Sequence, residues 1–157
     1  MFLSNNSSTS HLNEISRLIE LSEECILCTC WLDLEALDLI ESFVEKRKSA
    51  SKVQIYSDGR KMHVSEAVRM RLKSNPDIEH FYAKRGKRLH SKIYYFSTGD
   101  SYSAIIGSAN LTGRGLSRND EFSAVISGNK SSNEHQELID YLTKIKSSLK
   151  SNSPKVV

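Results

Sequence analysis

The sequence predicts an α/β fold, a mixed β-sheet flanked by helices on both faces. Two observations lead there. Short apolar runs alternate with stretches of helical periodicity over the first half of the chain, as in α/β proteins. Three further strand-like runs then follow with only turns between them, which adds an antiparallel part to the sheet. At 157 residues the chain has the size of one domain able to bury its own core.

Leu12, Ile15, Leu18 and Ile19 recur at helical spacing after a Ser- and Asn-rich lead-in, giving the first helix. Residues 25–31 read as a strand. Asp33 caps a second helix with Ala36, Leu37, Ile40, Phe43 and Val44 on one side. Residues 53–56 form a strand stopped by Ser57-Asp58-Gly59. A third helix spans 62–74, ended by Pro76, and residues 78–82 return as a strand. Strands at about 89–96 and 102–107 are joined as a hairpin by Gly99-Asp100-Ser101, and another covers 121–127. A last helix starts near Ser131-Ser132-Asn133-Glu134 as a capping box and carries Leu138, Leu142, Ile145 and Leu149 inward. Residues 1–10 and 151–157 are polar enough to be flexible ends of a single domain.

Composition narrows the function. The chain is 38% hydrophobic and 26% charged, with a net charge of +3, ordinary for a globular protein and mildly favourable to an anionic partner. No apolar run is long enough to cross a membrane. The N-terminus has neither a basic region nor an apolar core of the secretory kind, so the expected location is the cytoplasm. Cys25, Cys28 and Cys30 share one apolar run. No second Cys/His group follows at zinc spacing, so they read as small hydrophobes of a buried strand in a reducing compartment. Trp31, Tyr94, Tyr95 and Phe96 read as core, and His11, His63, His80 and His135 as structural or surface residues.

Residues 84–122 carry the chemistry. His90 and Lys92 are two apart on a predicted strand and therefore share a face. An imidazole beside an ammonium gives a phosphodiester what it needs: a base or nucleophile, and a cation for the nonbridging oxygens. Gly107-Ser108-Ala109-Asn110 ends the next strand. Gly107 lets backbone approach an anion, while Ser108 and Asn110 supply neutral donors. Glu121 opens the strand after that, where a carboxylate can orient an imidazole. Asp120 is adjacent but faces the other way. Lys84, Arg85, Lys87 and Arg88 place four cations in five residues just before His90, a phosphate-binding rim that Arg114 and Arg118 extend.

HSK, then GSAN, then a Glu at the start of a strand resembles the HKD signature of the phospholipase D superfamily. It is most similar to its single-motif nucleases and to the metal-independent restriction endonucleases of the BfiI and NgoFVII type, a group that the wider run GSANLTGRGLSRNDEF also resembles. The resemblance implies a phospholipase D-like α-β-α sandwich. It implies that His90 attacks phosphorus to form a phosphohistidine, that Lys92, Ser108 and Asn110 hold the phosphate oxygens, and that Glu121 fixes the imidazole. Two such motifs build one site in the family and this chain has one, which implies a homodimer whose second His90 protonates the leaving oxygen. No metal and no cofactor is implied. Ser97 stands where the family often has Asp, and Asp100 reads as a turn residue. The expected partner is nucleic acid, DNA before RNA, and no membrane. The alternatives are a phospholipase acting on headgroups and a non-catalytic nucleic-acid-binding module.

Overall fold

The computed structural model describes residues 1–154; of the tail expected to be loose, 155–157 lie outside the described residues. Eight strands make one mixed sheet in the order β1-β7-β6-β5-β2-β3-β4-β8. The strands are β1 (Phe2–Ser4), β2 (Glu24–Cys28), β3 (Val53–Ser57), β4 (Ile78–Ala83), β5 (Ile93–Thr98), β6 (Ser101–Gly107), β7 (Phe122–Asn129) and β8 (Leu149–Ser151). The helices are α1 (His11–Leu21), α2 (Leu34–Glu45), α3 (Glu66–Ser74) and α4 (Asn133–Ser147). β2, β3 and β4 are parallel to one another, and every other pairing is antiparallel.

Alternation along the strands sorts the core into two layers. Cys25, Leu27, Val53, Ile55, Tyr94 and Phe96 face the side packed by α1, α2 and α3. Ile26, Cys28, Tyr56, Ile93 and Tyr95 face the side packed by α4 through Leu138, Leu142 and Ile145. The central strands are thus buried on both faces, which is why they read as continuous apolar runs. Ile15 and Ile19 of α1 are fully buried, each contributing about 1.5–3 kcal/mol by leaving water.

Caps set the helix starts. Ser10, Asp33, Ser65 and Ser132 accept from the backbone N–H three residues on. α3 therefore begins at Glu66 and not at 62; Val64 instead bridges in parallel to Leu32. Ser132, not Ser131, caps α4. The lead-in and the tail are more ordered than expected. Phe2–Ser4 pairs with β7, and β8, which includes Leu149, pairs with β4. A π-helical turn at Arg114–Arg118 fills a stretch for which the sequence suggested no element.

Candidate active site

β5 begins, β6 ends and β7 begins at one end of the sheet, where β2, β3 and β4 also finish. Loops after strand ends are where α/β sheets place ligands. His90 and Lys92 lie just before β5, not within it. Beyond Ile93, β2 has turned away, and the Leu89 N–H goes to the Asp58 carboxylate at 3.2 Å. The extended segment nevertheless keeps both side chains together. Lys92 Nζ is 3.4 Å from Nδ1 and 3.4 Å from Nε2 of His90, so the ammonium sits against the ring. His90 is exposed and Lys92 half-buried.

Gly107 ends β6 tight against β7: a Cβ there would fall 2.1 Å from Ser123 Oγ. Ser108, the next residue, donates to the Glu121 carboxylate and accepts the Phe122 N–H at 3.1 Å. Asn119 Nδ2 also donates to Glu121, at 3.4 Å. Glu121 thus binds Ser108 rather than His90 in this structure. Asp120 faces elsewhere and accepts from Asn6 at 2.6 Å. Asn110 Oδ1 accepts the Trp31 N–H at 3.1 Å, which leaves its amide nitrogen as the group to offer an anion.

The cations divide. Lys84, Arg85, Lys87 and Arg88 line one cavity of about 870 Å³ with Arg60, Arg69 and Lys150. Arg114 is not in that lining. Arg118 is taken by a two-pronged pair with Glu35, at 2.7 and 2.9 Å. Ser97 donates to Glu24 at 3.1 Å, and Asp100 lies in the β5–β6 turn.

Sequence spacing did not reveal a knot of groups behind the segment that carries His90. Asp58, fully buried, accepts from Arg60 Nε at 2.9 Å and from His63 Nδ1 at 2.6 Å, besides Leu89. Burial works against the Asp58 charge, but the bonds from Arg60, Leu89 and His63 outweigh it and hold the carboxyl below its usual range. Cys30 Sγ lies 3.6 Å from His63 Nδ1, so a Cys/His/Asp trio exists that no spacing rule suggested. Its donors are already bonded to one another and to Arg60. Burial first, then Asp58, raises the Cys30 thiol, and burial pushes Cys25 and Cys28 up to about 12. All three cysteines are buried and free. Tyr94, Tyr95 and Phe96 are core residues. Trp31 is not: it is 42% exposed and packs on His63, ring centres 4.4 Å apart.

Two histidines hold the sheet ends neutral. His11 Nδ1 donates to Asn5 Oδ1 and its Nε2 accepts from Ser123 Oγ, both at 2.8 Å. Burial lowers its pKa, against the pull of Glu121. His80 is bonded to Ser57 and Asn152, and burial lowers its pKa to about 3. Among the described residues no helix is long and apolar enough to cross a membrane.

Known proteins share this architecture. NucT from Helicobacter pylori superposes with a TM-score of 0.66 over 90% of each chain at 16% identity. Nuc from Salmonella typhimurium, a phospholipase D family member, gives 0.67 over 88% of each chain at 14% identity. A yeast tyrosyl-DNA phosphodiesterase mutant gives 0.55 at 13% identity, over 85% of this chain and 33% of the other. At such identities the likeness speaks to fold. No curated protein matches the chain. The family described as "Cardiolipin synthase, PLD-like domain" matches residues 15–143. With that match over most of its length, the chain belongs to the phospholipase D-like domain family.

Proposed function

We propose that this chain is a metal-independent phosphodiesterase that cleaves nucleic acid, DNA before RNA, as a homodimer. The observation that carries the reading is the His90–Lys92 pair, nucleophile and cation in contact at the sheet end where Ser108, Asn110 and Glu121 also gather. His90 attacks the phosphorus of a phosphodiester and forms a P–N bond while the P–O bond to the leaving group breaks. His90 of the second copy delivers the proton to that oxygen. Water then attacks the phosphohistidine, giving its proton back to the second imidazole and releasing the phosphate end with the first His90 free. Lys92 and the Asn110 amide neutralise and hold the nonbridging oxygens, where such donors stabilise the transition state most. Glu121, freed from Ser108, orients the imidazole.

Two features support the dimer. One chain supplies one such motif. Next to Glu121 in sequence, the rings of Phe122 and Phe2 stack at 5.2 Å and are 61% and 62% exposed, an apolar pair in want of a cover. Kinship with the metal-independent restriction endonucleases rests on the sequence resemblance between His90 and Phe122 alone.

The test is cleavage of labelled single- and double-stranded DNA and RNA in EDTA, with His90→Ala alongside. Cleavage by the wild type only is the expected result. Activity that vanishes in EDTA and returns with Mg²⁺ sinks the mechanism. The family's description favours a second reading, phospholipid headgroup transfer or hydrolysis. Release of headgroup from vesicles without cleavage of any polynucleotide would establish that one. Nucleic-acid binding unaffected by His90→Ala, with no cleavage at all, would make the chain a binding module.

A further inference from the structure

We infer that the basic cavity beside the catalytic loop is a second anion subsite, holding the phosphates of a nucleic-acid strand next to the scissile one. The inference rests on the nuclease reading above and adds to it where the rest of the polymer lies.

The cavity, about 870 Å³, is lined by seven cationic side chains and no acidic one. Two of the seven are fixed parts of the wall. Arg60 is held by Asp58 at 2.9 Å. Arg69 donates to the Gly59 carbonyl, and its guanidinium lies 4.3 Å from the centre of the Tyr82 ring. Arg69 Nε is buried with no partner among the described residues, a donor left unspent in a setting where buried donors are nearly always used. The other five, the four loop cations and Lys150, have no ion-pair partner among the described residues.

The backbone builds this cavity deliberately close to the site. Gly59 presses the end of β3 onto β4, since a Cβ there would fall 2.0 Å from the Ala83 carbonyl oxygen. Gly86, at φ +84°, reverses the loop at an angle that side chains resist, which turns Lys84, Arg85, Lys87 and Arg88 to one concavity. β8 brings Lys150 across from Tyr82 in register. Arg88 is two residues before His90, a reach of at most about 7 Å of extended chain. A patch of one sign inside a concave wall focuses its field and holds like charges together at a cost that an anion removes. A polymer that brings a phosphate with each nucleotide matches a series of cations running away from His90. A lipid headgroup whose phosphate is at His90 leaves them unmatched.

The experiment compares two substrates of the protein in the assembly it forms in solution: bis(p-nitrophenyl) phosphate, which reaches only the catalytic centre, and a short oligothymidylate. For Lys150→Glu and Arg69→Gln, the ratio of kcat/KM on the oligomer to kcat/KM on the small ester should fall about tenfold. Oligomer binding, read by fluorescence anisotropy, should lose salt dependence by about 0.7 in the log–log slope for each phosphate contact removed. Lys150 is exposed on an edge strand, so its variant folds even if Arg69→Gln does not. An unchanged ratio and an unchanged slope in Lys150→Glu overturn the inference. Lost binding to phosphatidylglycerol vesicles with oligomer binding intact overturns it in favour of a lipid surface. If neither substrate is hydrolysed, the nuclease reading fails, and anisotropy with and without Lys150→Glu still decides whether the cavity holds a strand.

Discussion

The buried carboxylate of Asp58 accepts the backbone N–H of Leu89 at 3.2 Å, so the turn after β3 grips the residue that precedes His90. Asp58→Ala strips that acceptor from Leu89 and from His63. The expected cost is about 1–3 kcal/mol, the penalty of an unpaired buried donor, seen as a lower urea midpoint. Asp58→Asn keeps one acceptor oxygen for Leu89 and should fall between. If both variants cleave as fast as the wild type, His90 does not depend on this grip.

Lys92 tests the electrostatic part of the mechanism. Lys92→Met keeps the length of the side chain and removes its charge, and kcat should drop by about 10²–10³, the usual effect of deleting one donor to a developing anion. Single-turnover cleavage measures it. A change confined to KM would make Lys92 a substrate anchor only.

Trp31 stands at the site's edge, half-exposed, its backbone holding Asn110. A stacked base contributes about 1–3 kcal/mol on such a ring. Trp31→Ala should therefore weaken oligonucleotide binding at least about fivefold, with little effect on a substrate that has no base. Equal losses on both substrates would mean that the ring shapes the site through its packing on His63 and stacks no base.

Phe122→Glu puts a charge in the exposed pair formed with Phe2. The variant is expected to run as a monomer by light scattering and to lose cleavage, while its circular dichroism stays that of the wild type. An active monomer would refute the shared site.

His80 makes stability depend on pH. Its Nδ1 accepts from Asn152 and its Nε2–H donates to Ser57, which in turn donates to the Asp58 carbonyl. A second proton has nowhere to go in the fold. With the folded pKa near 3 and the unfolded value about 6.5, the unfolded chain binds more protons between those limits. The neutral imidazole's contribution is intact above pH 6.5 and falls by up to about 1.4 kcal/mol per unit as the pH drops toward 3. Urea midpoints from pH 7 to pH 4 should show the decline, and His80→Gln should flatten it.

Much of the sheet was legible because its strands are buried on both faces and its helices carry good caps. Asp33 marked α2 through its own side chain. Local signals failed where distant partners decided. Phe2–Ser4 and Leu149–Ser151 are too short to read as strands, and only β7 and β4 make them so. The β5 start moved from 89 to 93 because Asp58 takes the Leu89 N–H that a ladder would use. For the site, order and residue type pointed to His90, Lys92, Ser108, Asn110 and Glu121, since all five flank strand ends. Spacing could not show that Cys30 meets Asp58 and His63, nor that Arg118 is taken by Glu35, because Cys30 and His63 lie 33 positions apart in the chain and Glu35 and Arg118 lie 83 apart. Trp31 was misplaced for a simpler reason: it follows an apolar strand that ends three residues earlier, at Cys28.

The edge strand β1 forms late in time as well as far off in sequence. Its pairing region is tied to residues made much later: Asn6 bonds Asp120 across 114 positions at 2.6 Å. While the chain emerges from a ribosome, the first few residues have nothing to dock on until the last third exists. Joining such distant segments carries a large loop-closure entropy, which slows folding. A nascent chain therefore carries Phe2–Ser4 unpaired for most of its synthesis, until β7 has been made.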